Sequence, residues 1–193
     1  MQNDFCGSGG YVENIMHKDV AAATAMLPAL RSALDAARTL NVPVVWIRAD
    51  YSHQAIPRSM LAKQLSQGIT EECCKAGSWG ADWYGVAPLA HETVITKHTY
   101  SGFHDTELDA TLQRLRIETV VFVGVQTQIC IESTLREAHS RGYYCVVAED
   151  AVASHSPTLH DATLNNVRFL LGDVCSSAAI IEAWQAGPAA SAG

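Results

Sequence analysis

The stretch VVFVGVQTQICIES places Cys130 a few residues beyond a strongly apolar run, in what reads as the first turn of a helix. Unpaired backbone N–H groups and the positive helix end stabilise an anion there, so a thiol at that position loses its proton more readily. The same N–H groups can hold a developing oxyanion. Together these are the requirements of acyl transfer by a sulfur nucleophile. A buried structural cysteine fits the position equally well, and Cys6, Cys73, Cys74, Cys145 and Cys175 make that reading an ordinary one. Lys97 closes a separate short run, ETVITK. A lysine beside a thiol favours the thiolate, although a plain surface lysine is the commoner case. Acyl transfer also needs a base to take and return the thiol proton. Neither of these two loops offers an obvious Asp, Glu or His.

The elements that must position these residues follow from periodicity. From Pro28 to Leu40, Leu30, Leu34 and Ala37 recur at helical spacing, and Asn41 and Pro43 end the pattern. Val42 to Ile47 reads as a buried strand. Residues 51–90 read as a short helix plus a long covering loop carrying Trp79, Trp83 and Tyr84. Thr93 to Thr96 is strand-like, and Thr106 to Asp109 fits a capping box that opens a helix to about Leu115. Glu118 to Val123 is an apolar strand closed by Gly124, followed by a helix to about Arg141. Tyr143 to Ala148, a helix that Pro157 precedes and that runs to about Leu171, Asp173 to Ser176 and a last helix over Ala178 to Trp184 complete the alternation. Such alternation predicts an α/β fold, a doubly wound, mostly parallel sheet with helices on both faces. Its site then lies beyond the carboxyl ends of the strands, after Lys97, after Gly124 and after Glu149. By the same logic the opening MQNDF reads as a loop that follows a strand.

Composition bounds the rest. The 193 residues, 48% hydrophobic and 17% charged, suit one globular domain over residues 1–186 with a small polar tail over 187–193 that is expected to be disordered. The net charge of −7, without a Lys/Arg cluster, argues against a nucleic-acid or anionic-membrane partner. The cysteine spacing shows no CxxC pair, and reduced thiols in the cytoplasm are expected.

Several motifs then act together: QNDFC with GGY, the strand-end Lys97, YSGF with T-x-L-D, GVQTQIC with ESTLREA, and the Glu149–Asp150 pair. This combination resembles the isochorismatase-like cysteine hydrolases, which include nicotinamidases and the N-carbamoylsarcosine, biuret and ureidoacrylate amidohydrolases. The likeness runs from Met1 to about Trp184, and KAGSW with KHTYSGFHDTELD is most similar to the ureidoacrylate and biuret type. The resemblance implies an Asp–Lys–Cys triad in which Lys97 and Cys130 match two members. The third, an Asp closing the first strand, would stand immediately before Met1, so a strand and its terminal carboxylate are expected to precede this chain. It also implies a cis peptide at Val125–Gln126, an oxyanion hole from the backbone N–H groups of Gln126 and Cys130, and a homo-oligomer, dimer or tetramer. Phe5, Trp79, Tyr100 and Phe103 are candidate walls for the substrate, and Gln2 and Asn3 are expected to order the first loop.

Cleavage of a small ureido, carbamoyl or carboxamide substrate through a Cys130 thioester is the leading expectation. Two others stay open: vinyl-ether cleavage of the isochorismatase type, which does without the cysteine, and a binding or scaffold role without catalysis. Asp50 and His53 in ADYSH are too sparse for a metal shell of the usual kind, so neither metal nor organic cofactor is expected.

Overall fold

The computed structural model describes residues 1–187, and most of the expected tail lies outside them. Five strands form: β1 (Val45–Ala49), β2 (Thr93–Lys97), β3 (Thr119–Val125), β4 (Tyr144–Ala153) and β5 (Asp173–Cys175). Nine α-helices stand among the described residues. Three short ones open the chain, α1 (Asn3–Cys6), α2 (Tyr11–Asn14) and α3 (Ala21–Ala25). They are followed by α4 (Leu27–Thr39), α5 (Arg58–Ser66), α6 (Leu108–Arg114), α7 (Glu132–Ser140), α8 (Pro157–Asn166) and α9 (Ser177–Ala186). None of the described helices is long and apolar enough to cross a membrane.

Every strand pair is parallel, and helices cover both faces as the alternation predicts. Neighbouring residues of one strand point to opposite faces. Phe122, Cys145 and Val147 pack with Leu108 and Leu112 of α6, Leu135 and Ala138 of α7 and Leu164 of α8. Val121, Val123, Val146 and Ala148 face the other way, toward Leu27, Leu30 and Leu34 of α4 and Ile180 of α9. Helix α4 forms because those leucines, with Ala33 and Ala37, share one buried stripe. Pro28 sits in its first turn, and Asn41 breaks the chain away at φ +57°.

The five strands make two sheets rather than one. β1 pairs only with β2, and the other sheet runs β3–β4–β5. The facing edges of β1 and β3 line an apolar cavity of about 320 Å³, closed by Leu30 and Leu34 on one side and Leu108, Leu112 and Ile131 on the other. Its end at the carboxyl termini of the strands carries Met1, Phe5, Lys97 and Cys130.

Several boundaries depart from the pattern. Gly124 does not close β3 but lies inside it at φ +111°. There the register slips from Phe122↔Val147 to Gly124↔Val152, so β4 bulges and runs on to Ala153. Glu149 and Asp150 therefore lie within β4 and not beyond it. Glu149 pairs with Arg168, and Asp150 accepts from Ser177 N and Oγ at the start of α9. The reciprocal capping box does not form either: α6 starts at Leu108, and Thr106 Oγ1 accepts from Leu108 N while donating to Gly102 O. Asp109 instead accepts from Tyr143 and pairs with Arg141. Lastly, within the opening MQNDFC, read as a loop, Asn3–Cys6 form a helical turn.

Candidate active site

The first turn is held by its own polar side chains. Gln2, 2% exposed, grips the end of β1 from both sides, donating to Ala49 O at 3.0 Å and accepting from Ala49 N at 2.7 Å. Asn3 Nδ2 donates to Trp79 O. Asp4 accepts from Tyr11 N and from Cys74 N, so its carboxylate fastens α1 to the start of α2 and to the loop at Cys74. Gly10 follows from this packing, since a Cβ there would meet Asn3 O at 2.4 Å. Asp4 also brings its carboxylate within 4.8 Å of the buried Cys73 and Cys74 thiols, the one such cluster among the described residues. Burial pushes the Cys73 thiol well up, which keeps it protonated.

Lys97 ends β2 and is buried, 4% exposed. A buried ammonium must be hydrogen-bonded. Its Nζ donates to Tyr51 Oη at 3.0 Å, Thr99 O at 3.0 Å and Tyr100 O at 2.6 Å, all neutral oxygens. Tyr51 Oη in turn lies 3.8 Å from Cys130 Sγ. The strand ends thus bring Lys97 and Cys130 together through a phenol.

Cys130 is half-buried and lies in a single π-helical turn, Thr127–Ile131, that leads into α7. The wider turn replaces the ordinary first turn of an α-helix that periodicity suggests. The Val125–Gln126 peptide ahead of it is cis. The Gln126 side chain is committed elsewhere, its Oε1 accepting from His155 N and its Nε2 donating to Phe5 O. Thr134, in the first turn of α7, ties the turn that carries Cys130 to the loop after β2. Its Oγ1 donates to Cys130 O at 2.6 Å and accepts from Gly102 N at 2.9 Å. Ser101 donates to Glu137 on the same helix.

The four aromatic candidates separate in space. Phe5 and Phe103 line the cavity that Lys97 and Cys130 share, with Phe103 stacked on Tyr143. Tyr100 packs edge-on against Tyr51 and is 45% exposed. Trp79 is 53% exposed, covers Gly7 and lies outside the cavity lining. Pattern reading passed over Tyr51 and the hydroxyl of Thr134. Tyr51 had a usable signal, because it stands two residues beyond the end of β1, on the same strand edge as the other loops.

Comparison with known proteins places the fold in a known family. A family profile described as "Isochorismatase domain" matches residues 1–179. The ureidoacrylate amidohydrolase RutB of Methylorubrum extorquens is 31% identical over 193 residues, covering 93% of this chain and 77% of the relative. Among solved structures, N-carbamoylsarcosine amidase from Thermoplasma acidophilum superposes with a TM-score of 0.69 at 28% identity, over 86% of this chain and 91% of the other. An isochorismatase family protein from Desulfovibrio vulgaris superposes with a TM-score of 0.81 at 26% identity, over 96% and 94%.

Proposed function

The chain belongs to the isochorismatase family, and from that premise we propose that it is a cysteine amidohydrolase that cuts a small ureido, carbamoyl or carboxamide C–N bond. The observation that carries the proposal is the meeting of Lys97, Tyr51 and the half-buried Cys130 at the carboxyl ends of the strands. The ureidoacrylate amidohydrolase and N-carbamoylsarcosine amidase relatives support the substrate class.

In this reading the Cys130 thiolate attacks the substrate carbonyl. The N–H groups of Gln126 and Cys130 hold the oxyanion. The C–N bond breaks, ammonia or an amine leaves with a proton, and water resolves the thioester. Lys97 favours the thiolate, and Phe5, Tyr100, Phe103 and Trp79 are the candidate walls. No metal or organic cofactor takes part. A general base takes the Cys130 proton and returns it to the leaving amine. The protein is expected to work in the cytoplasm as a dimer or tetramer, which sedimentation velocity would test.

Ammonia release from a panel of ureido and carboxamide compounds tests the reaction. It should be measured for this chain and for one extended upstream in its reading frame. Turnover that is abolished by Cys130→Ala and by iodoacetamide labelling of Cys130 is expected. Ammonia release that survives Cys130→Ala would overturn the thioester route, and cleavage of a vinyl ether by both the parent and Cys130→Ala without amide turnover would point to the isochorismatase-type reaction. No turnover from either chain would remove the amidase reading.

A further inference from the structure

Tyr51 is held as few surface-loop tyrosines are. It is 5% exposed, its backbone N–H donates to Cys73 O at 3.0 Å, and its ring meets Phe5 and Tyr100 edge-on at 6.1 and 6.2 Å. Its hydroxyl accepts from Lys97 Nζ at 3.0 Å and donates to Thr99 O at 3.0 Å, with Cys130 Sγ at 3.8 Å. A phenol has one proton to give. Thr99 O, however, already accepts from Lys97 Nζ as well. The phenol proton can therefore turn to Cys130 without leaving the buried carbonyl unpaired. An anionic sulfur is the stronger acceptor and draws it there.

We propose that Tyr51 is the hydrogen-bond donor to the Cys130 thiolate and the link through which the Lys97 charge reaches that sulfur. The inference rests on Cys130 being the nucleophile of the proposed reaction. Tyr51 is a positioning residue in this scheme, since it acts through the sulfur. It keeps its proton for the purpose, because burial and the neighbouring Cys130 push the phenol well above its ordinary range. The other groups around the pair are Lys97 on β2, Tyr100 in the loop after it, Cys73 beside the Tyr51 backbone, Asp4 on α1 acting on Cys73, and the Met1 α-amino group. Asp50 and His98 are turned to backbone partners, Ser52 N and Asp50 O.

The test is the rate of Cys130 alkylation by iodoacetamide as a function of pH, read by peptide mass mapping, in the parent chain, Tyr51→Phe, Lys97→Met and the double variant. Tyr51→Phe keeps the ring and its neighbours. It should slow labelling at pH 7 by about tenfold or more, with the rate at the alkaline plateau unchanged. The double variant should label no more slowly than the slower single variant, because Lys97 acts through Tyr51. A labelling profile for Tyr51→Phe that coincides with the parent's, or slowing that is equal at every pH, would overturn the proposal and leave Tyr51 as packing. So would fully additive effects. Labelling needs no substrate. A chain that turns over no amide yet shows this dependence would sink the amidase reading and leave the Tyr51 link standing.

Discussion

Thr134 shows how much of this site is backbone held in place by single hydroxyls. Its Oγ1 spans Cys130 O and the buried Gly102 N, so one side chain sets the distance between the turn that carries Cys130 and the YSGF loop. Thr134→Val keeps the shape and removes both bonds, leaving a buried donor unpaired. A loss of about 1–3 kcal/mol in denaturant unfolding is expected, with a fall in turnover larger than the fall in stability explains. Thr134→Ser should restore both. Gln2 makes the same point from the other side of the site. Its amide closes on the Ala49 N–H and C=O as a strand neighbour would, so a side chain caps the end of β1.

At the scale of elements, two attachments set the frame. Helix α1 can approach the GSGG loop only because Gly10 has no Cβ. Gly10→Ala drives a methyl toward Asn3 O, a backbone atom, and should cost about 1–3 kcal/mol in thermal or chemical unfolding. The second attachment is Glu92, which joins α4 to β1. It pairs with Arg38, accepts from Trp46 Nε1 at 2.7 Å and accepts from Leu89 N. The Arg38 hydrogen bond in particular lowers its carboxyl to about 2. A lowered folded value stabilises the fold above the unfolded value and is lost as pH falls through the folded one. Stability should therefore drop from about pH 4.5 down to about pH 2, by about 2–3 kcal/mol from this group. Glu92→Gln should flatten that part of the unfolding-versus-pH curve, and an unchanged slope would count against the role.

For the whole molecule, the division into two sheets is the dominant fact. The apolar cavity between β1 and β3 reaches Trp46 and Trp184. An apolar fluorophore should accordingly bind the native chain one-to-one, with energy transfer from tryptophan and a rise in melting temperature as the dye is added. A dye that binds only on unfolding would mean the cavity is closed in solution. Much of the architecture was legible from the residues. The apolar runs at β3 and β4, the helical spacing of Leu30, Leu34 and Ala37, and the placing of Lys97 and Cys130 at strand ends are all local patterns. Periodicity reports which face of an element seeks burial, so it reached the parallel α/β class and placed two residues of the candidate site. It did not report partners. Whether β1 lies against β3 depends on edges 70 or more residues apart, as the strand ranges show. The slip that carries Glu149 and Asp150 inside β4 comes from pairing with Gly124, and the phenol that joins Lys97 to Cys130 comes from positions 46 and 79 residues away. The sequence by itself determined which elements form and which strand ends carry reactive groups. The tertiary structure alone decided which edges pair and which side chains meet, because those depend on long-range packing that no local spacing encodes.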